Sequence, residues 1–127
     1  MHKSKLVAAV IDCQTGDLTV GTGFWSAALG REVKQPETGD NPKYAVIGDG
    51  KEDLILLLQK VAHQSRIHLD IETDDIEAEV ARLEGLGASR VEKIKTWWVM
   101  EAPTGHRFCV VRPQRDGVMP ADANEWS

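Results

Sequence analysis

The stretch "RIHLDIETDDIEAEVARLEGLG", Arg66 to Gly87, sets one kind of periodicity directly after another. Its first part alternates, with Ile67, Leu69 and Ile71 on one side and His68, Asp70 and Glu72 on the other, the pattern of a half-buried strand. Its second part places Ile76, Val80, Leu83 and Leu86 at helical spacing, with Glu77, Glu79, Arg82 and Glu84 off that stripe. Asp74 with Glu77 three residues later suits a capping box, and Gly87 supplies a stop. A strand followed at once by an amphipathic helix is therefore expected here. The polar face of that strand either meets water or lines a site.

The same order occurs earlier in the chain. "LVAAVIDC" is an alternating strand, and "GDLTVGTGFWSAALG" has Asp17 before a helix, Leu18, Trp25 and Leu29 on one side, and a Leu-Gly ending at Gly30. Gly21 and Gly23 each weaken that helix by about 1 kcal/mol relative to alanine, so packing has to hold it. Three strand candidates follow each helix: residues 32–35, 43–47 and 54–60 in the first half, and 90–93, 97–101 and 107–111 in the second. Both halves give β-α-β-β-β, about 55–60 residues apart, which is a duplication. The fold class is thus expected to be α+β. One domain of residues 1–113 would hold module one at about 5–61 and module two at about 65–113, the two packed on each other. Residues 114–127, with Gly, Pro and Asn and no periodicity, suggest a loose C-terminal tail.

Composition narrows the function. The chain has 127 residues, 42% hydrophobic and 28% charged, with net charge −5, so it has the apolar content for a core and lacks a broad positive surface for a phosphate backbone. Nucleic acid is set aside as a partner. No run approaches the roughly 20 apolar residues of a membrane span, so no membrane partner is expected. The start, "MHKSKLVAAVIDC", is interrupted by Asp12 and is taken as a strand and not a signal peptide. Cys13 and Cys109 lack CxxC spacing and are expected to be free thiols in a cytoplasmic protein.

A doubled β-α-β-β-β unit with "HLDIETDDIEAEVARLEGLG" and "WWVMEAPTGHRFCVVRP" resembles the glyoxalase, bleomycin-resistance and extradiol-dioxygenase superfamily, the vicinal oxygen chelate proteins. The resemblance covers about residues 5–113. It implies that each module curls its sheet into a half-open cup, that the paired cups enclose a cavity, and that the polar face of residues 66–75 points inward while Ile67, Leu69 and Ile71 pack beneath the helix. It also implies a homodimer. Metal-dependent members take up to four ligands, from the first and last strands of each module, and those positions map onto Ala8, Leu57, His68 and Cys109. Only His68 is a ligand type of that family, and Gln59 lies two residues from Leu57 on the same face. No cofactor is therefore expected, with a divalent metal as the lesser alternative.

The remaining candidates follow from strand faces. Asp12 is the repeat partner of Glu72, so Asp12, Asp70 and Glu72 could converge on His68 for acid-base work or for recognition of a basic or hydroxylated ligand. Of Trp97 and Trp98, which alternate, Trp98 is chosen as the ligand-facing aromatic. Arg107 shares a face with Cys109. Ala102 stands where the family's loop often begins with Asp. The resulting expectation is a small-molecule binding protein of the bleomycin-resistance kind, its ligand held by Gln59, His68, Asp70, Trp98 and Cys109, with Asp12, Glu72 and Arg107 nearby. His68 is the candidate catalytic residue if the chain is instead a lyase, isomerase or dioxygenase. A ligand-sensing accessory module is the third alternative.

Overall fold

The computed structural model describes residues 1–34 and 42–127. Within them the order is β1 (His2–Gln14), α1 (Thr19–Leu29), β2 (Val33–Lys34), β3 (Tyr44–Ile47), β4 (Ile55–Val61), β5 (Arg66–Thr73), α2 (Ile76–Gly85), β6 (Ser89–Ile94), β7 (Trp97–Glu101), β8 (Arg107–Val111) and β9 (Asn124–Trp126). The expected β-α-β-β-β order occurs twice, and β9 is added at the end. The strand expected at residues 32–35 is short, and its residue 35 lies outside the described residues.

Contacts divide the chain into two compact units. One is Ala8–His68; the other is Leu69–Ser127 together with Met1–Val7. Within the Ala8–His68 unit, β1 pairs in parallel with β4, β4 antiparallel with β3, and β3 antiparallel with β2. Within the other, β5 pairs in parallel with β8, β8 antiparallel with β7, and β7 antiparallel with β6. Each module thus closes its first strand onto its last, the same topology twice.

In the Ala8–His68 unit, Ile11, Leu18, Ala45, Ile47 and Leu58 form the core, and Cys13, Trp25, Val33 and Leu56 pack against it. Gly21 has a packing reason: a Cβ there would lie 3.0 Å from Leu58 Cδ2 and 3.6 Å from Cys13 Sγ. The glycine lets α1 approach the sheet closely. Gly23 has open space in the same test. Leu29, expected on the buried stripe, is 44% exposed, and Gly30 ends the helix in the left-handed conformation.

In the other unit, Val80, Leu83, Met100 and Val110 form the core, with Ile71, Ile76, Trp98 and Phe108 around it. Two local expectations are corrected. The cap of α2 is Asp75, whose side chain accepts from Ala78 N, while Asp74 Oδ1 instead accepts from Lys3 N at 2.8 Å. Of the apolar face of β5 only Ile71 joins the core; Ile67 is 63% and Leu69 46% exposed. The reason is reach. A helix of 10 residues spans about 15 Å and lies over β6, β7 and β8, leaving the start of β5 uncovered.

The end of the chain is also corrected: it is not loose. β9 pairs antiparallel with His2–Ser4, Trp126 Nε1 donates to Ser4 Oγ at 2.8 Å, and the Arg82 guanidinium stacks 3.9 Å above the Trp126 ring. Beneath this strap lies Glu79, fully buried. Arg82 donates to both its oxygens at 2.8 Å, and His2 Nε2 donates to Oε1 at 2.8 Å. Burial pushes the Glu79 carboxyl pKa up, but hydrogen bonds from Arg82, His2 and Ser4 outweigh it and hold the group below its ordinary value.

Two stability predictions follow from these packings. A carboxyl whose folded pKa lies below its unfolded one contributes stability above the unfolded value, near 4.3, and loses it as pH falls toward the folded value. Glu79→Gln is therefore expected to cost about 2–3 kcal/mol near neutral pH, and urea midpoints of the variant should fall less steeply on acidification than those of the wild type. Gly23→Ala is expected to stabilise by about 0.5–1 kcal/mol, while Gly21→Ala forfeits that gain against Leu58; paired thermal melts check the difference.

Candidate functional site

Strand alternation leaves each sheet one face without a helix. In the Ala8–His68 unit that face is set by register. Tyr44, Gln59 and Asp12 are direct neighbours across β3, β4 and β1, and Val46, Leu57 and Val10 form the adjacent row. The first row is polar and the second apolar. Gln59 Nε2 donates to the Tyr44 hydroxyl at 3.4 Å, and Tyr44 keeps 41% of its surface exposed.

His68 closes the polar row. Its Nδ1 donates to Asp12 Oδ2 at 2.7 Å, with the imidazole side chain 11% exposed and the carboxylate 2%. Arg66 Nε lies 3.8 Å and His63 Nε2 4.0 Å from the same oxygen. Arg66 Nη2 is 3.3 Å from His63 Nε2, and His63 Nδ1 is 2.8 Å from the Gln64 carbonyl, so His63 donates through Nδ1 and accepts from the guanidinium. Asp12 is thus held by His68 and lies beside the Arg66 guanidinium. Such a carboxylate orients the imidazole, an arrangement that suits proton transfer or the holding of a polar ligand. Behind it, Cys13 points to the helix side, where burial first and the Asp12 charge second push its thiol pKa up and keep it protonated.

The other unit carries its own helix-free face. Asp70 pairs with Cys109, Cys109 with Val99, and Arg107 with Glu101. Asp70 and Cys109 are half-buried, and Arg107 Nε donates to Glu101 at 3.2 Å. Glu72, on the same face, is 3% exposed and accepts from Gln114 N at 3.0 Å, so it fastens the chain leaving β8. Trp98, chosen from sequence as the ligand-facing aromatic, is on the wrong side for that role. It packs in the α2 core, donates from Nε1 to Glu77 at 3.4 Å, and lies under Arg90 at 5.0 Å. Alternation puts Trp97 on the face of Val99 and Cys109. The pattern marked the pair but could not say which member the helix would cover. His106 is exposed and bonded to Thr104 at 2.7 Å.

Four positions were mapped as the superfamily's metal ligands. Ala8 is buried and Leu57 half-buried, and neither carries a donor atom, so that four-ligand shell does not fit this chain. Among the described residues one group of three, His68, Asp70 and Cys109 on β5 and β8, has potential ligand atoms within 4.8 Å of one another. Imidazole, carboxylate and thiolate are donor types a divalent ion can use. Tyr44, His63 and Arg66 had no part in the sequence-derived site. Register brings Tyr44 beside Gln59, and a tight β4–β5 connection brings His63 and Arg66 to Asp12; neither leaves a periodic signal.

Comparisons with known proteins agree with this architecture. The chain aligns over 86% of its length with 87% of a methylmalonyl-CoA epimerase from Mycobacterium tuberculosis, at 17% identity and a TM-score of 0.61. It aligns over 89% of its length with 98% of a hypothetical protein from Bacillus halodurans, at 13% identity and 0.59. A variant of methylmalonyl-CoA epimerase from Streptomyces coelicolor, in complex with 2-nitronate-propionyl-CoA, matches over 91% of this chain and 98% of its own at 16% identity and 0.56. At such identities the likeness is one of fold. No curated protein sequence matches the chain significantly. Among the described residues no helix is long and apolar enough to cross a membrane. The model of the glyoxalase-like domain family matches residues 8–111, and the chain belongs to that family, within the vicinal oxygen chelate superfamily.

Proposed function

We propose that this chain binds a small organic molecule on the helix-free face of its Ala8–His68 unit and sequesters it, as bleomycin-resistance proteins do, without a catalytic metal. The observation that carries the reading is the juxtaposition of two rows. Val46, Leu57 and Val10 offer an apolar floor, and Tyr44, Gln59 and the Asp12–His68 pair offer polar anchors beside it. A largely apolar surface with a few fixed polar groups is what small-molecule sites use. The two donorless positions, Ala8 and Leu57, support binding independent of the superfamily's metal. The protein acts in the cytoplasm, as a homodimer.

One observation favours a second reading. A buried carboxylate bonded to an imidazole at 2.7 Å is a competent acid-base pair, which suits a His-assisted lyase or isomerase, or a metal-dependent dioxygenase if the His68, Asp70 and Cys109 group takes an ion. A ligand-sensing accessory module is the remaining alternative.

A thermal-shift screen with aromatic antibiotics, glycating aldehydes, glutathione conjugates and acyl-CoA thioesters, each with and without EDTA, tests the proposal. At least one class is expected to stabilise the protein regardless of EDTA, and His68→Ala to weaken it about tenfold or more, the worth of one anchoring hydrogen bond. Stoichiometric divalent metal that is lost in His68→Ala, with ligand stabilisation abolished by EDTA, overturns the metal-free reading in favour of the enzyme. A screen in which no compound shifts the melting temperature replaces it with the accessory module.

A further inference from the structure

Helix α1 contains no charged residue and leaves an apolar face to solvent. Val20, Gly23, Phe24, Ala27 and Ala28 recur at the spacing of one helical stripe, and all five are exposed, Val20 at 84% and Phe24 at 61%. The Phe24 ring is held in place: it stands edge-on to Trp25 at 5.1 Å and 86°, and Trp25 packs against the core beneath the helix. Gly23 weakens the helix, yet a Cβ there would meet nothing within 4 Å, so among the described residues packing gives no reason for the glycine. The stripe runs between opposite charges. Asp17 is fixed at one end by bonds from Thr19 Oγ1 at 2.6 Å and Thr19 N at 2.8 Å, which hold its carboxyl below the ordinary range. Arg31 is fixed at the other, its N–H donating to the Ser26 carbonyl at 3.1 Å and its own carbonyl accepting from Ser26 Oγ at 2.5 Å.

We propose that this face is the surface on which a second copy of the chain docks, α1 against α1, antiparallel across a two-fold axis. A crossing centred between Gly23 and Phe24 seats each Phe24 on the partner's Gly23 and each Val20 on the partner's Ala27, large against small in both directions. It also brings each Asp17 to the end of the helix where the partner's Arg31 stands, so the face is complementary to itself in shape and in charge. Gly23 then has a role: it makes room for a side chain from outside. A parallel pairing would set like charges together. A lipid surface is a poorer occupant, since interfacial helices carry Lys and Arg along their polar face, whereas α1 has none and the chain has net charge −5. A convex helix offers no concavity for a small ligand. A stripe of this size covers a few hundred Å², less than the roughly 800 Å² per partner of a standard interface, so the dimer is expected to dissociate on dilution into the micromolar range. The homodimer belongs to the reading above and this proposal rests on it; the choice of surface can fail while the dimer stands.

Sedimentation of the intact protein from micromolar to millimolar concentration reads the association. A reversible monomer–dimer equilibrium is expected. Phe24→Ala and Gly23→Leu, both at exposed positions, are each expected to weaken it at least about tenfold while the circular dichroism of the separate chain is retained. The gain predicted above for Gly23→Ala belongs to the separate chain and is read where the protein is monomeric. Asp17→Arg and Arg31→Asp are each expected to dissociate, since both homodimers then oppose like charges, and an equimolar mixture of the two is expected to associate again as a heterodimer. A dimer that either uncharged variant leaves unchanged overturns this surface and places the homodimer on another. Charge variants that separate but do not recombine overturn the antiparallel pairing. A chain that is monomeric throughout overturns both surface and dimer; if neutral lipid vesicles then blue-shift its tryptophan fluorescence, and Phe24→Ala abolishes the shift, the face belongs to a lipid surface. If Asp17→Arg, which forfeits the bonds to Thr19, fails to fold, the two uncharged variants decide the outcome.

Discussion

A strand shows alternate side chains to opposite faces, and in this protein each helix covers only one of them. That constraint governs everything else. Beneath α1 lie Ile11, Cys13, Ala45, Ile47, Leu56 and Leu58, so their neighbours Val10, Asp12, Tyr44, Val46, Leu57 and Gln59 are committed to the opposite face. A one-residue slip of β1 would carry the Asp12 carboxylate under α1 and bring Ile11 and Cys13 out. Burying a carboxylate among Leu58 and Ile47 without partners costs several kcal/mol, so the core that holds the helix also holds the register of the candidate site. The same logic sorts Trp98 beneath α2 and Trp97 away from it.

Glu79 and Asp12, two of the buried acids, show two ways of keeping a carboxylate out of water. Glu79 is saturated: a forked guanidinium, an imidazole and a serine hydroxyl meet it, and a tryptophan covers the guanidinium. Its role is mechanical, since the network ties the first residues of β1, helix α2 and the last strand together. Asp12 is met differently, by one close imidazole and two looser bases at 3.8 and 4.0 Å. Among the described residues the one short contact of Asp12 is to His68, and it fixes the orientation of that imidazole.

Much was decided by the sequence alone. The doubled strand-helix order, the helix of residues 76–85 and the alternating first strands are local patterns, and they were legible because each depends on spacing within a few residues. So was the family, carried by those patterns with the Phe-Cys ending of β8, and so was the absence of ligand atoms at Ala8 and Leu57. His68, Asp12 and Gln59 could be nominated from their strand faces.

Only tertiary structure decided the rest, because it depends on register and reach between segments far apart in the chain. Register set Tyr44 beside Gln59 and turned Asp12 toward His68, 56 residues away, and no property of either residue alone contains that pairing. The length of α2 left Ile67 and Leu69 exposed where alternation had placed them under a helix. The residues after Asp116 lack any period, yet they form a strand because His2–Ser4 offers an edge and Arg82 a partner for Trp126. Periodicity shows which side chains share a face, whereas long-range packing selects the face that a helix covers and the partners each polar group meets.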